Sequence, residues 1–223
     1  MACALKQGGG LYSRLRIGAV LLAAGEGNRM GGVAKPLIRL QGVPLIARHL
    51  VALSAAGIDE VVVVTGFARE AVEEHVRRFI VTLAHNDDYA AGQEGSVRAG
   101  LAALSGPFDA VLVMPADQPL IGGGDLTELI GAFKKRPQGN ILVPVVNGRR
   151  GNPIVLGSDA IARILDETDT ACGHLIDRNP DLVHVHETAN TRFVTDLDTV
   201  EDVEALAKAT GWKLEFPALA AVR

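Results

Sequence analysis

An apolar run, Ile17–Leu22, passes without a polar break into a glycine-rich loop, and that junction restricts the chain to few architectures. Residues 19–35 read AVLLAAGEGNRMGGVAK. A run with no polar alternation is a strand covered on both faces, which calls for helices on either side of a parallel sheet. The loop that follows holds Gly25, Gly27, Gly31 and Gly32, with Arg29 and Lys35 among them. Glycines let backbone N–H groups converge on an anion, because no Cβ blocks the unusual dihedrals. Two cations set among those amides add the charge that a polyphosphate demands. The segment reads as a nucleoside triphosphate site.

The rest of the chain repeats the pattern. Val61–Val64, Phe79–Leu83, Ala110–Met114, Ile141–Val146 and Leu182–Val185 read as further strands. Between them, Val43–Ala56 places Ile46, His49, Leu50 and Leu53 at helical spacing, and Arg69–Arg78, Glu94–Leu104, Asp125–Lys135 and Thr199–Ala209 also predict helices. This alternation predicts an α/β fold with a single doubly wound, mostly parallel sheet. Residues 1–15 are expected as a flexible extension, 16–212 as the domain and 213–223 as a C-terminal tail. The run Gly148–Pro153, GRRGNP, is the expected junction between a nucleotide half and a substrate half. Ligands of such sheets bind beyond the carboxyl ends of the strands. The glycine loop after the first strand and the segment MPADQPL after Ala110–Met114 therefore belong to one edge.

Composition narrows the partners. A formal net charge of -4 argues against a general nucleic-acid binder, which normally carries a basic face. Aromatics are only 4% of residues, too few for the stacking platforms of single-strand binders. The two cysteines, Cys3 and Cys172, form no CxxC pair, so neither a disulfide framework nor a zinc site is indicated, and a reduced cytoplasmic setting is expected. No stretch reads as a secretory signal or a membrane span, so no membrane partner is expected.

Several motifs carry chemistry. The glycine loop is not a Walker A motif, since G-x-x-x-x-G-K-[ST] does not fit around Lys35. It is not a dinucleotide fingerprint either: Gly25-x-Gly27-x-x-x-Gly31 has one residue too many, and no acidic residue closes the second strand. Asp117, stiffened between Pro115 and Pro119, sits where a Mg²⁺ ligand belongs in a phosphoryl-handling enzyme; a turn aspartate bonding its own backbone is the plain alternative. In Thr195–Asp202, Thr199 and Asp202 predict a capping box, and Asp196 and Asp198 point the same way if the segment is extended. The polar groups of His85–Ser96 precede a helix and suit either base recognition or a solvated connection. His184 and His186 alternate on an expected strand and are left without a role.

Taken in order, LAAGEGNRMGGVAK, MPADQPL, GNPIVL and DLDTVEDV resemble the MobA-like nucleotidyltransferases, most closely the molybdenum cofactor cytidylyltransferases, over about residues 17–210. The resemblance implies a Rossmann-like nucleotidyltransferase fold and transfer of CMP from CTP to molybdopterin with release of pyrophosphate. It implies Arg29, Lys35 and Asp117 as catalytic residues, and Mg²⁺, with Mn²⁺ as a substitute, held by Asp117 and Asp198. It implies nucleotide binding by Leu22, Ala23, Ala24, Gly25, Gly27, Arg29, Lys35, Asn86, Gly92 and Ser96, with Gly100 in the same helix pattern. Gly151, Asn152 and Pro153 are the implied acceptor-binding residues. LAAG, rather than the LAGG of guanylyltransferases, points to cytosine. The implied partners are CTP, molybdopterin or another phosphorylated small molecule, and an apo-molybdoenzyme. One departure concerns the acceptor: where such proteins carry a G-D-x-G-x-R-like stretch, this chain has Thr168–His174, with His174 in the basic position. A different phosphorylated acceptor, GTP as donor, and a non-catalytic cofactor-delivery role are the competing readings.

Overall fold

A computed structural model describes residues 14–166 and 172–217. The first strand, β1 (Ile17–Ala23), is buried along its whole length. After the glycine loop come the short strands β2 (Arg39–Leu40) and β3 (Val43–Pro44) and helix α1 (Leu45–Ala55). Then β4 (Glu60–Thr65), α2 (Arg69–Val76), β5 (Thr82–His85), α3 (Gln93–Ala102), β6 (Ala110–Pro115) and α4 (Gly123–Lys135) follow. The second half contributes β7 (Ile141–Val146), β8 (Arg149–Arg150), β9 (Ile154–Gly157), α5 (Ser158–Asp166), α6 (Cys172–Arg178), β10 (Val183–Glu187), α7 (Val200–Thr210) and β11 (Leu214–Glu215).

The main sheet has the order β10-β7-β9-β6-β1-β4-β5, with β8 paired to β7. β1 is parallel to both β4 and β6, and β10 is parallel to β7, whereas β9 runs against both its neighbours. The expected doubly wound, mostly parallel sheet is present. Side chains of β1 alternate between two cores, as a period of two requires. Ile17, Ala19, Leu21 and Ala23 pack with α1 and α4 through Leu50, Leu53, Leu126 and Leu129. Val20 and Leu22 pack on the other face, with Val97 and Leu101 of α3 and Ile164 of α5.

Four expectations require correction. The strand expected over Phe79–Leu83 lies at Thr82–His85, because the end of α2 turns through residue 79: the Phe79 N–H donates to the Val76 carbonyl at 2.9 Å. Gly148–Pro153 is not a junction between halves. Asn147 and Gly148, both at positive φ (50° and 78°), turn the chain into a hairpin that carries β8 back onto β7. The chain then enters the sheet as β9, a strand absent from the expectation. Nor is residue 213 the start of a plain tail, since β11 pairs with β2 while Trp212 and Leu214 pack on a small separate core around Leu40, Leu45 and Leu206; residues 218–223 lie outside the described residues, as do 1–13.

Candidate active site

The chain winds from β1 to β4 and β5 on one side, then crosses to β6 on the other. Loops leaving the carboxyl ends of β1 and β6 therefore diverge and open a crevice at the switch point. A cleft of about 340 Å³ occupies this place. Its walls include Leu22, Ala23, Ala24, Gly25, Gly27, Arg29 and Lys35 from the first loop, Gly92 and Ser96 from the start of α3, and Asp117 and Asp198 opposite.

Local forces shape the glycine loop. Two 3₁₀ turns, Asn28–Met30 and Lys35–Leu37, sit on either side of Gly31 and Gly32. Gly27 has a φ of 60°, and a Cβ there would stand 2.2 Å from the Val33 carbonyl oxygen, so only glycine closes this turn. Its carbonyl accepts from the N–H groups of Met30 (2.8 Å) and Gly32 (3.2 Å). Met30 is buried with Ile38, Leu40, Leu45, Leu197, Val203 and Leu206 in a third core. With Met30 held inward, Arg29 projects into solvent with 70% of its side chain exposed.

The same small core places the acidic wall. Leu197 is buried in it, and its N–H donates to the Asp117 carbonyl at 2.9 Å. Thr199 caps α7: its hydroxyl accepts from the Asp202 N–H, and Asp202 Oδ2 accepts from the N–H groups of Thr199 (2.7 Å) and Asp198 (3.0 Å). This is the predicted capping box, and it fixes Asp198 just ahead of the helix. Asp198 lines the cleft whereas Asp196 does not. Burial, then the charge of Asp117, pushes the Asp196 carboxyl above its ordinary range.

Asp117 follows β6 in a loop tied from below. The Ala116 N–H donates to the Leu22 carbonyl at 3.0 Å, which joins the two cleft-forming loops. On the other side of Ala116, the imidazole Nε2 of His49 lies 3.3 Å from its carbonyl oxygen. Burial lowers His49 to about 4, so the ring is neutral near pH 7 and donates from Nε2. Gln118, wholly buried, donates from Nε2 to the Phe193 carbonyl at 3.0 Å.

Cations and carboxylates meet across the cleft. Lys35 Nζ donates to Asp198 Oδ1 at 2.7 Å and to Asp117 Oδ2 at 3.1 Å. Arg29 Nη2 lies 3.1 Å from Asp198 Oδ2. Only 15% of the Lys35 side chain is exposed. Burial opposes its charge, but the carboxylates of Asp117 and Asp198 outweigh burial and hold its pKa above the ordinary value.

Not every expected site residue reaches the cleft. Asn86 is buried behind the wall, where its Nδ2 donates to Ser96 Oγ at 2.9 Å and its Oδ1 accepts from the Asp88 N–H at 3.1 Å. It orients Ser96 and does not itself face the cavity. Gly100 is turned toward Val20 and Val64 of the sheet. Gly151, Asn152 and Pro153 lie outside the cleft walls, yet they are wired to them. The Asn152 N–H donates to the Phe193 carbonyl at 2.8 Å, the same oxygen that receives Gln118. Two hydrogen bonds thus link the residue after Asp117 to this loop, which continues through a cis Asn152–Pro153 bond. Within Thr168–His174, residues 168–171 lie outside the described residues, and α6 begins at Cys172. Pro36 and Ala116 also line the cleft, and His49 supports it, none of them expected from the sequence; Tyr89 and Gln93, within the His85–Ser96 segment, and Pro115, beside Asp117, line it as well. Gln93 opens α3, and Tyr89 lies in the 3₁₀ turn Tyr89–Ala91 just ahead of it.

Among the described residues, no helix is long and apolar enough to cross a membrane. Residues 19–182 match the MobA-like NTP transferase domain. The bifunctional protein GlmU of Pelobacter propionicus is 35% identical over 162 residues, which are 70% of this chain and 35% of that protein. The chain thus spans about a third of the length of this relative. A molybdenum cofactor guanylyltransferase of Pseudomonas aeruginosa is 37% identical over 120 residues, 53% of this chain and 57% of that one. Among solved structures, Rv0371c of Mycobacterium tuberculosis in complex with manganese superposes with a TM-score of 0.70 at 21% identity, covering 87% of this chain and all of that one. With the matched segment running from β1 through the cleft-forming loops, the chain belongs to the MobA-like NTP transferase domain family.

Proposed function

We propose that this domain is a nucleotidyltransferase that moves CMP from CTP to the terminal phosphate of molybdopterin and releases pyrophosphate. The observation that carries the reading is the opposition of two cations, Arg29 and Lys35, to two carboxylates, Asp117 and Asp198, across one cleft at the switch point. Family membership supports the reaction class, and the guanylyltransferase relative supports a molybdopterin acceptor. That relative's base differs from the one proposed. The choice of cytosine rests on Ala24, whose methyl group adds bulk where LAGG sequences have none.

The donor set suits Mg²⁺. Asp117 and Asp198 offer hard carboxylate oxygens around a point already held by the Lys35 ammonium, a cation in the place a metal would take. Mg²⁺ is commonly bound by one or two carboxylates together with substrate phosphates. Bound there with the nucleotide, it would neutralise charge on the α- and β-phosphates. Mn²⁺ suits the same oxygens.

The chain's own groups account for the rest. The amides of the glycine loop and the side chains of Arg29 and Lys35 bind and align the triphosphate. An acceptor phosphate oxygen attacks the α-phosphorus in line, the new P–O bond forms, and the bond to the β-phosphate bridge breaks with its electron pair leaving on pyrophosphate. Lys35 and Arg29 face the charge that develops on the leaving group. An anionic phosphate needs no general base, in keeping with a cleft lined by no histidine or cysteine among the described residues. Asn152 and its neighbours, wired to Asp117 through Phe193, hold the acceptor side.

Pyrophosphate release measured with CTP, GTP, ATP and UTP, each with and without molybdopterin, tests donor and acceptor together. The reading expects release only with CTP plus molybdopterin. Release with GTP instead would move the base assignment, release with a sugar or alcohol phosphate would move the acceptor, and tight pterin binding with no release would indicate a delivery protein.

A further inference from the structure

Lys35 occupies an unusual position for a phosphate ligand. Its ammonium contacts carboxylates from two different segments, Asp117 after β6 and Asp198 before α7, and both contacts are within hydrogen-bond distance. Arg29 takes the remaining oxygen of Asp198. The two cations expected to receive the triphosphate are therefore engaged with the two carboxylates expected to receive the metal.

We propose that the Lys35 ammonium stands in for the divalent cation, so that Asp117 and Asp198 accept a metal only when a triphosphate draws Lys35 and Arg29 away. This inference rests on the nucleotidyltransferase reading and adds to it an order of assembly. Two carboxylates converging in a part-buried site repel each other and require a positive charge between them. Before nucleotide arrives, Lys35 supplies it. A metal alone would have to displace the ammonium and leave it without a counter-ion in a site where only 15% of its side chain meets solvent. A metal–nucleotide complex removes that obstacle, because the phosphates pair with Lys35 while the metal takes its place. The carboxylates must also close in, since Mg²⁺–oxygen distances are about 2.0–2.1 Å against the 2.7 and 3.1 Å of the ammonium contacts. Metal and nucleotide affinities are then coupled, and by linkage the coupling is mutual.

The test is a Mn²⁺ titration of the full chain without nucleotide, following the loss of the free-ion signal by electron paramagnetic resonance. The wild type is compared with Lys35→Met and Lys35→Gln, with Asp117→Asn added to each as a check on the binding position. Removal of the ammonium should tighten Mn²⁺ binding by about tenfold or more, and Asp117→Asn should abolish the gain. Circular dichroism melts establish that each variant is folded, and the glutamine variant carries the comparison if the methionine variant is not. Retention of CTP with Mn²⁺ by the wild type, measured by ultrafiltration, runs in parallel. Equal or weaker Mn²⁺ binding in the folded lysine variants, with CTP still retained by the wild type, overturns the exchange and leaves the nucleotidyltransferase reading standing. Absence of both Mn²⁺ binding and CTP retention in every protein overturns that reading, and the exchange with it.

Discussion

The backbone N–H of Leu197 donates to the carbonyl of Asp117 at 2.9 Å, joining two segments eighty residues apart in the sequence. Because Leu197 is buried under the glycine loop, this bond sets the Asp198 carboxylate beside that of Asp117. The acidic wall of the cleft is thus a tertiary product, built by one apolar anchor and one backbone bond.

Asp117→Asn preserves shape while deleting one of the two charges opposite Lys35. If the carboxylate helps to hold a metal on the triphosphate, turnover with CTP and Mg²⁺ should fall roughly 10³-fold, with the melting temperature little changed. Steady-state pyrophosphate release checks this. Activity near that of the wild type would remove Asp117 from the proposed chemistry.

Lys35→Ala separates binding from catalysis. A charge that matters chiefly while pyrophosphate departs should lower kcat by roughly 10²-fold and change KM for CTP far less. The opposite split, a raised KM at constant kcat, would make Lys35 a ground-state binder only.

Gly151→Ala probes the acceptor side. A Cβ at Gly151 would stand 2.4 Å from the Phe193 carbonyl oxygen, which receives both Asn152 and Gln118. The backbone must shift, at a cost of about 1–3 kcal/mol in stability. Displacement of the loop should raise KM for the acceptor while CTP retention stays as in the wild type. A variant with both unchanged would disconnect this loop from acceptor binding.

What the sequence disclosed follows from which forces are local. The buried strands and the capping box at Thr199 were legible because apolar runs and Thr-x-x-Asp spacing act within a few residues. The shared edge of the glycine loop and Asp117 followed from the handedness of parallel sheets. The hairpin at Asn147–Gly148 was also legible in principle, since Asn-Gly suits paired positive φ values, but the basic run after it was read as a junction. β9 escaped because a strand that reverses within a parallel sheet has the same apolar pattern as one that does not. Asn86 was assigned to the cavity from its motif. Whether such a residue faces a ligand or props Ser96 depends on packing beyond its own segment. The support from His49 was invisible for the same reason: in α1 it occupies a helical core position beside Leu50 and Leu53, and nothing local marks its ring as a partner for Ala116.

His49 makes stability depend on pH in a definite direction. Its folded value is about 4, lowered chiefly by burial, against an ordinary 6.5. Between those values the unfolded chain binds a proton that the folded chain excludes, so stability rises with pH across this window. The contribution is fully present above pH 6.5 and is lost as pH falls toward 4. A shift of this size corresponds to about 3 kcal/mol. His49→Gln retains an N–H donor for the Ala116 carbonyl but does not titrate. Melting temperatures from pH 7.5 to 4 should therefore fall more steeply for the wild type than for the variant, with the curves diverging below pH 6.5. Carboxylates that titrate in the same range act in both proteins and cancel in the difference. Parallel curves would mean that His49 takes up its proton as readily in the folded chain as in the unfolded one, and burial would then not depress its pKa.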